Sequence, residues 1–353
     1  LYSDTPPAPI TLETSALQLT LEPAGGRIAI LDKRTGYLWR QPDAFNAPAE
    51  QSAAPRFRNA MPLPAPATGI TFDTDLGVTD NAPNAMRVTI SLDNDTVVME
   101  TDCADRAKRF VPFRFLEGFA LDTPAPTLAV ADYCNGHLYP LDGTPIPNTY
   151  FLADRLDMPW VGVFDFKQGP GYLLVMDTCD DGAVGLTKIA SGDRTLFAPH
   201  VDWHPSKGAL AYPRRIHYRF LDSGGYVALA KAYRDGARAQ GLLVTLAEKR
   251  AKNPNLDRLF GAPDVWGNAS LAFARDAKAA GVEKMLIQGR ANPEDAKAIV
   301  EMGYLTSEYD NYTDILPLEP DKDPDGQHDT LPDAAVMKED GTRLTAWITW
   351  DKQ

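Results

Sequence analysis

The sequence predicts an α+β chain of more than one domain: a large antiparallel β-sandwich, then the opening units of a parallel α/β domain. Two observations predict it. Up to about residue 222, runs of period-two alternation are separated by Gly, Pro and Asp turns, with no helical period between them. Beyond Gly224-Gly225 the pattern changes to helical spacing, then to alternating strand and helix signals.

Leu17 to Leu21 alternates as a half-buried strand does, Gly25-Gly26 turns the chain, and Arg27 to Leu31 follows as a second strand. Asp32 to Gly36 is another turn, leading to Tyr37-Leu38-Trp39. Residues 41 to 70, rich in Ala, Pro and Gln, are too long for an ordinary connection and are expected to be an irregular surface excursion. Met86 to Leu92 and Thr96 to Glu100 flank Asp93-Asn94-Asp95, a hairpin signal. Further strands are expected over Phe113 to Leu121, Trp160 to Phe166, Gly171 to Asp177 and Arg214 to Leu221.

Tyr226 to Gln240 has helical spacing, with Val227, Leu229, Ala230, Tyr233 and Ala237 sharing one face, and Gly241 stops it. Thr245 to Lys252 reads as a short helical or extended connector. Gly261 to Trp266 is a short strand, and Ser270 to Ala280 is a helix with Ser270 as N-cap and Gly281 as stop. Lys284 to Gln288 has the composition of a buried parallel strand. Asn292 caps a helix with Pro293 in its first turn; it runs to Met302 and Gly303 ends it, before a third strand over Tyr304 to Tyr309. The expected domains are a sandwich over 1–223, a helical linker over 224–254 and an α/β domain over 255–353. A TIM-type (β/α)8 barrel takes about 250 residues, so this last domain is expected to be the first part of such a barrel, cut short.

Composition excludes several classes. The 35 basic and 48 acidic side chains leave a formal charge of −13, against the basic face that nucleic acid requires. No run approaches the ~20 apolar residues of a membrane helix. The chain opens on Leu1 and a polar, Pro-rich stretch, as a processed or trimmed chain does; no signal peptide is visible, and with one presumed removed the protein is expected to be secreted or periplasmic. Cys103, Cys134 and Cys179 have no metal spacing; one disulfide with a free thiol and three reduced thiols both remain open. Oligomeric state is not legible.

In parallel α/β folds, ligands bind at the carboxyl ends of the strands. Those ends carry Trp266 and Asn268, then Gln288 and Arg290, then Glu308, Tyr309, Asp310, Asn311 and Asp314. Sugars need this mixture, because hydroxyls take hydrogen bonds while C–H faces stack on rings. Trp266, Asn268, Gln288, Arg290, Tyr309, Asn311 and Asp314 are the candidate substrate contacts. Glycoside hydrolysis needs two carboxyl groups, and Glu308, Asp310 and Asp351 are the candidates. Such pairs come from different strands, so one of Glu308 and Asp310 is expected to hold substrate hydroxyls instead. Asp321, Asp323 and Asp325 with Gly326 open like a calcium loop, but Pro332 stands where the bidentate Glu belongs. They read as an acidic solvated loop, with calcium as the alternative, and no other cofactor is expected. The flanking prolines deny His200 and His204 the helix that a zinc pair at this spacing needs. Serine-hydrolase, P-loop and dinucleotide motifs are missing from the sequence.

The stretch LQLTLEPAGGRIAILDKRTGYLW (Leu17 to Trp39) resembles the opening of the galactose-mutarotase-like supersandwich that precedes a catalytic barrel in several glycoside hydrolases. The join YVALAKAYRDGARAQGLLVTLAEK, then GAPDVW and YDNYTDI, is similar to bacterial glycosidase-like proteins distantly akin to endo-α-N-acetylgalactosaminidases and other retaining α-glycosidases. The resemblance implies a glycoside hydrolase acting on an α-linked oligosaccharide or polysaccharide with retention. It also implies that the acid/base and nucleophile lie on the fourth strand and beyond. Two other readings stand beside it. One is a non-catalytic carbohydrate-binding or assembly protein working through the sandwich. The other is a lyase or epimerase using His137, His200 or His217 as base.

Overall fold

The computed structural model describes residues 8–41, 57–76, 84–107, 112–132, 135–167, 169–204, 209–267, 269–289, 291–308 and 341–342. The chain divides into two compact units, Leu1–Gln240 and Gly241–Gln353.

The first unit is a β-rich sandwich. β1 (Ile10–Glu13), β2 (Leu17–Glu22), β3 (Arg27–Asp32) and β4 (Tyr37–Arg40) form an antiparallel meander. The next strands are β5 (Arg58–Pro62), β6 (Gly69–Leu76), β7 (Asn84–Asp93), β8 (Thr96–Asp102), β9 (Phe113–Phe115), β10 (Pro126–Asp132), β11 (Asn135–Pro140) and β12 (Tyr150–Leu152). After them come β13 (Leu156–Asp165), β14 (Gly171–Met176), β15 (Gly182–Ser191), β16 (Arg194–Trp203) and β17 (Arg214–Leu221). They build a nine-stranded sheet, β11-β10-β13-β14-β17-β8-β7-β6-β5, and a four-stranded sheet, β12-β15-β16-β9. One continuous core joins all three sheets. It takes Leu19 and Ile30 from the meander, Val88, Leu174 and Phe220 from the large sheet, and Phe115, Val201 and Trp203 from the small one. At its centre Trp39, Tyr172, Tyr218, Phe220 and Phe119 cluster, with Tyr172 edge to face against Trp39 and Phe119 edge to face against Tyr172, Tyr218 and Phe220. The Tyr172 hydroxyl donates to the Phe119 carbonyl at 2.7 Å.

Helix α1 (Gly225–Ala239) belongs to this unit. It starts where Gly224 and Gly225 take φ of 98° and 57°, a corner that side-chain-bearing residues resist. Leu229 and Ala232 then bury against Trp160, Phe164, Leu173 and Val175 on the outer face of the large sheet. Gly162 makes room: a Cβ there would lie 2.3 Å from Leu229 Cδ1. Fully burying Leu229 contributes about 1.5–3 kcal/mol. This second layer explains why all six residues of β14 are buried, Tyr172, Leu174 and Met176 in the main core and Leu173 and Val175 under α1. The segment expected as a linker over 224–254 therefore divides, with α1 packed on the sandwich and the rest in the second unit.

The strand expected over Phe113 to Leu121 stops at Phe115. Leu116 takes φ +36°, and a Cβ on Gly118 would meet the Pro199 carbonyl oxygen, so the chain leaves the ladder there. Within the region expected to be irregular, β5 forms and β6 begins; residues 42–56 lie outside the described residues.

The second unit opens with α2 (Leu246–Lys252), whose Thr245 and Glu248 form a reciprocal capping box. It continues as β18 (Asp264–Trp266), α3 (Leu271–Ala279), β19 (Leu286–Gln288), α4 (Pro293–Glu301) and β20 (Leu305–Ser307). The expected caps are present: Ser270 Oγ accepts from Phe273 N, and Asn292 Oδ1 from Asp295 N. The strands form a parallel sheet, β18-β19-β20, in which Val265 and Ile287 pack with Ala274, Ile299 and Tyr304 of the helical side. Among the described residues this sheet has three strands and closes no barrel, and no helix is long and apolar enough to cross a membrane.

Candidate functional site

In β18 and β19 the side chains alternate between faces. With Val265 and Ile287 turned to the helices, Asp264, Trp266, Leu286 and Gln288 share the opposite face. Parallel register sets Trp266 beside Gln288 at the carboxyl ends of their strands. Trp266 is 60% exposed and Gln288 half-buried. Asp264 ties the two together. Gln288 Nε2 donates to both of its oxygens, at 2.7 and 2.8 Å, and Trp266 Nε1 donates to Oδ2 at 3.2 Å. The structure thus joins two of the residues expected to touch substrate through a carboxylate that no motif in the sequence marks.

Glu308 is exposed just after β20. Asn268, Arg290, Tyr309, Asp310, Asn311, Asp314 and Asp351 lie outside the described residues, as do Asp321, Asp323 and Asp325 of the calcium-loop candidate and Cys134. Cys103 and Cys179 are free thiols, and the described residues contain no group of three or more His, Cys, Asp or Glu able to hold a metal ion.

A second polar cluster lies in the sandwich, around β9, β15 and β16. Arg114 Nη1 donates to Glu117 Oε1 at 2.9 Å and its Nε to Asp202 Oδ1 at 3.1 Å. Thr187 Oγ1 donates to Glu117 Oε2 at 2.8 Å and lies 2.8 Å from His200 Nδ1. His200 Nε2 lies 3.5 Å from Asp202 Oδ2. These contacts close a five-membered ring: Arg114, Glu117, Thr187, His200, Asp202 and back to Arg114. Because the Thr187 proton is spent on Glu117, the Thr187 oxygen accepts and His200 Nδ1 carries the donor hydrogen. Glu117 and His200 are 4% and 3% exposed. His200 lies over Gly185, its partner in β15, where a Cβ would come within 2.3 Å of Nε2.

Burial works to raise the Asp202 carboxyl, but the His200 hydrogen bond and the charges of His200 and Arg114 hold it below the usual range. Burial likewise works to lower Arg114, and Glu117 and Asp202 outweigh it, raising the guanidinium. At the rim Tyr150 stands 2.6 Å from His204 Nε2, its phenol pushed up to about 12, first by burial and then by the Asp202 charge. The other histidines named as candidate bases are engaged differently. His217 Nδ1 sits 3.0 Å from both Asp177 oxygens, and His137 stacks on Tyr139.

No protein-family model matches this chain, and no curated protein matches it. Solved structures share its fold. Alpha-N-acetylgalactosaminidase NagBb from Bifidobacterium bifidum, as a quadruple mutant, superposes with a TM-score of 0.73 at 17% identity, over 94% of this chain and 63% of that one. Its complex with Gal-NHAc-DNJ gives 0.72 at 18% identity, over 94% and 62%. The chain therefore spans less than two thirds of NagBb, and at this identity the likeness is one of fold: a β-rich α+β architecture of the kind found in a glycoside hydrolase.

Proposed function

We propose that the protein is a glycoside hydrolase that takes a glycan at the carboxyl ends of β18, β19 and β20, these strands being the opening of a (β/α)8 barrel. The observation that carries the reading is the Asp264, Trp266 and Gln288 set on the helix-free face, where an indole and an amide stand side by side. The fold likeness to an α-N-acetylgalactosaminidase supports an α-linked substrate, with N-acetylgalactosamine as the first sugar to try. Retention is the proposed outcome, and two carboxyl groups with water complete such a reaction without a cofactor. Glu308, Asp310 and Asp351 are the proposed carboxyl donors. A secreted or periplasmic location fits a polysaccharide substrate.

The test is incubation of the protein with α- and β-linked p-nitrophenyl glycosides, the α-N-acetylgalactosaminide included, with NMR detection of the first-formed anomer. Release from α-linked members with the α-anomer first is the expected result. No release from any member, with glycan binding retained after residues 255–353 are removed, would turn the reading to a carbohydrate-binding sandwich.

A further inference from the structure

The Asp264 carboxylate has a consequence for what the proposed site selects. An amide side chain can present either its oxygen or its nitrogen, and the two are hard to tell apart by shape alone. Here chemistry decides. An ionised carboxylate only accepts hydrogen bonds, so the Gln288 atom within 2.7 and 2.8 Å of the two Asp264 oxygens is the NH2 group. The carboxylate is itself braced by the Trp266 indole N–H on its own strand. One acidic side chain thereby sets the orientation of residues on two neighbouring strands. The Gln288 Oε1 atom is turned away from Asp264, and among the described residues it accepts no hydrogen bond.

We propose that Asp264 is a positioning residue that locks Gln288 with its carbonyl oxygen toward the ligand. The site then reads a hydrogen-bond donor on the sugar, a hydroxyl or the N–H of an acetamido group, beside the Trp266 ring. Both Asp264 oxygens are engaged by these donors, which suits a brace and not the attacking group. This inference rests on the glycosidase reading, and its test separates the two.

The experiment follows the side-chain amide of Gln288 and the indole N–H of Trp266 by 1H–15N NMR in the wild type, Asp264→Ala and Asp264→Asn. Binding of N-acetylgalactosamine and of its analogues lacking one donor each (deoxy, or O-methylated) is measured on the same proteins. The expected result is that Asp264→Ala shifts both resonances while far-UV dichroism is unchanged. Affinity for the parent sugar falls about tenfold, the scale of one good hydrogen bond, and the preference over one analogue disappears. Asp264→Asn keeps a carbonyl that accepts from Gln288 and recovers part of both effects. Resonances that stay in place in Asp264→Ala overturn the positioning claim, whatever binds. Resonances that move with unchanged discrimination overturn the specificity claim alone. A wild type that binds none of these sugars while the resonances still move overturns the glycan reading and the specificity claim with it.

Discussion

Two polar clusters among the described residues, each organised around carboxylates, behave in opposite ways. In the sandwich, Arg114, Glu117, Thr187, His200 and Asp202 form a closed ring around two buried carboxylates. In the α/β unit, Asp264, Gln288 and Trp266 form an open set on an exposed face, and the Gln288 oxygen is left over. The difference follows from water. A buried polar atom without a partner costs about 1–3 kcal/mol, so a buried cluster must satisfy itself and then has nothing left for a ligand. An exposed atom rests on water until a ligand displaces it. Closure marks the first cluster as part of the architecture; the unspent acceptor marks the second as available.

Breaking the ring should therefore cost stability, and breaking the open set should cost binding. Glu117→Ala removes the acceptor shared by Arg114 and Thr187 at a buried position, and urea unfolding should record a loss of about 3–5 kcal/mol. Gly185→Ala pushes a methyl group into the His200 ring and should cost about 1–3 kcal/mol in the same measurement. Asp202→Asn tests the electrostatics through pH. The folded-state carboxyl lies below its ordinary value. Its contribution is thus complete above the unfolded value of about 3.9 and is lost as pH falls through the lowered one. The stability gap between wild type and Asp202→Asn should be widest near neutrality and shrink in acid below about pH 4; a gap constant with pH contradicts the assignment. Asp264→Ala, at an exposed site, should change unfolding free energy by less than about 0.5 kcal/mol.

Much of the architecture was legible because local chemistry carried it. The period of Leu17 to Leu21, the caps Ser270 and Asn292 and the stop Gly281 need only their own neighbourhoods, and each stands where its residues suggest. What was illegible depended on partners far along the chain. β15 and β16 carry no clear strand signal because Thr187, His200 and Asp202 interrupt the apolar alternation, and they are tolerated there only because Arg114 and Glu117 arrive to pair them. Pro199, which donates nothing to a ladder, lies outside the three-residue pairing of β16 with β9 (Val201–Trp203). Asp264 is illegible for a similar reason. After Pro263 it has the look of a turn residue, and its amide partner stands 24 residues away on the next strand. Trp266 and Gln288 could be named from their position at strand ends, whereas the carboxylate that orients them could not.

The contrast between the clusters is tested most directly by titrating N-acetylgalactosamine into the wild type, Trp266→Ala and Tyr150→Phe, the last at the rim of the sandwich ring. The account predicts binding by the wild type, affinity about tenfold weaker in Trp266→Ala, the scale of one lost aromatic contact, and wild-type affinity in Tyr150→Phe. Binding that survives Trp266→Ala and falls in Tyr150→Phe would put the ligand on the sandwich and contradict it.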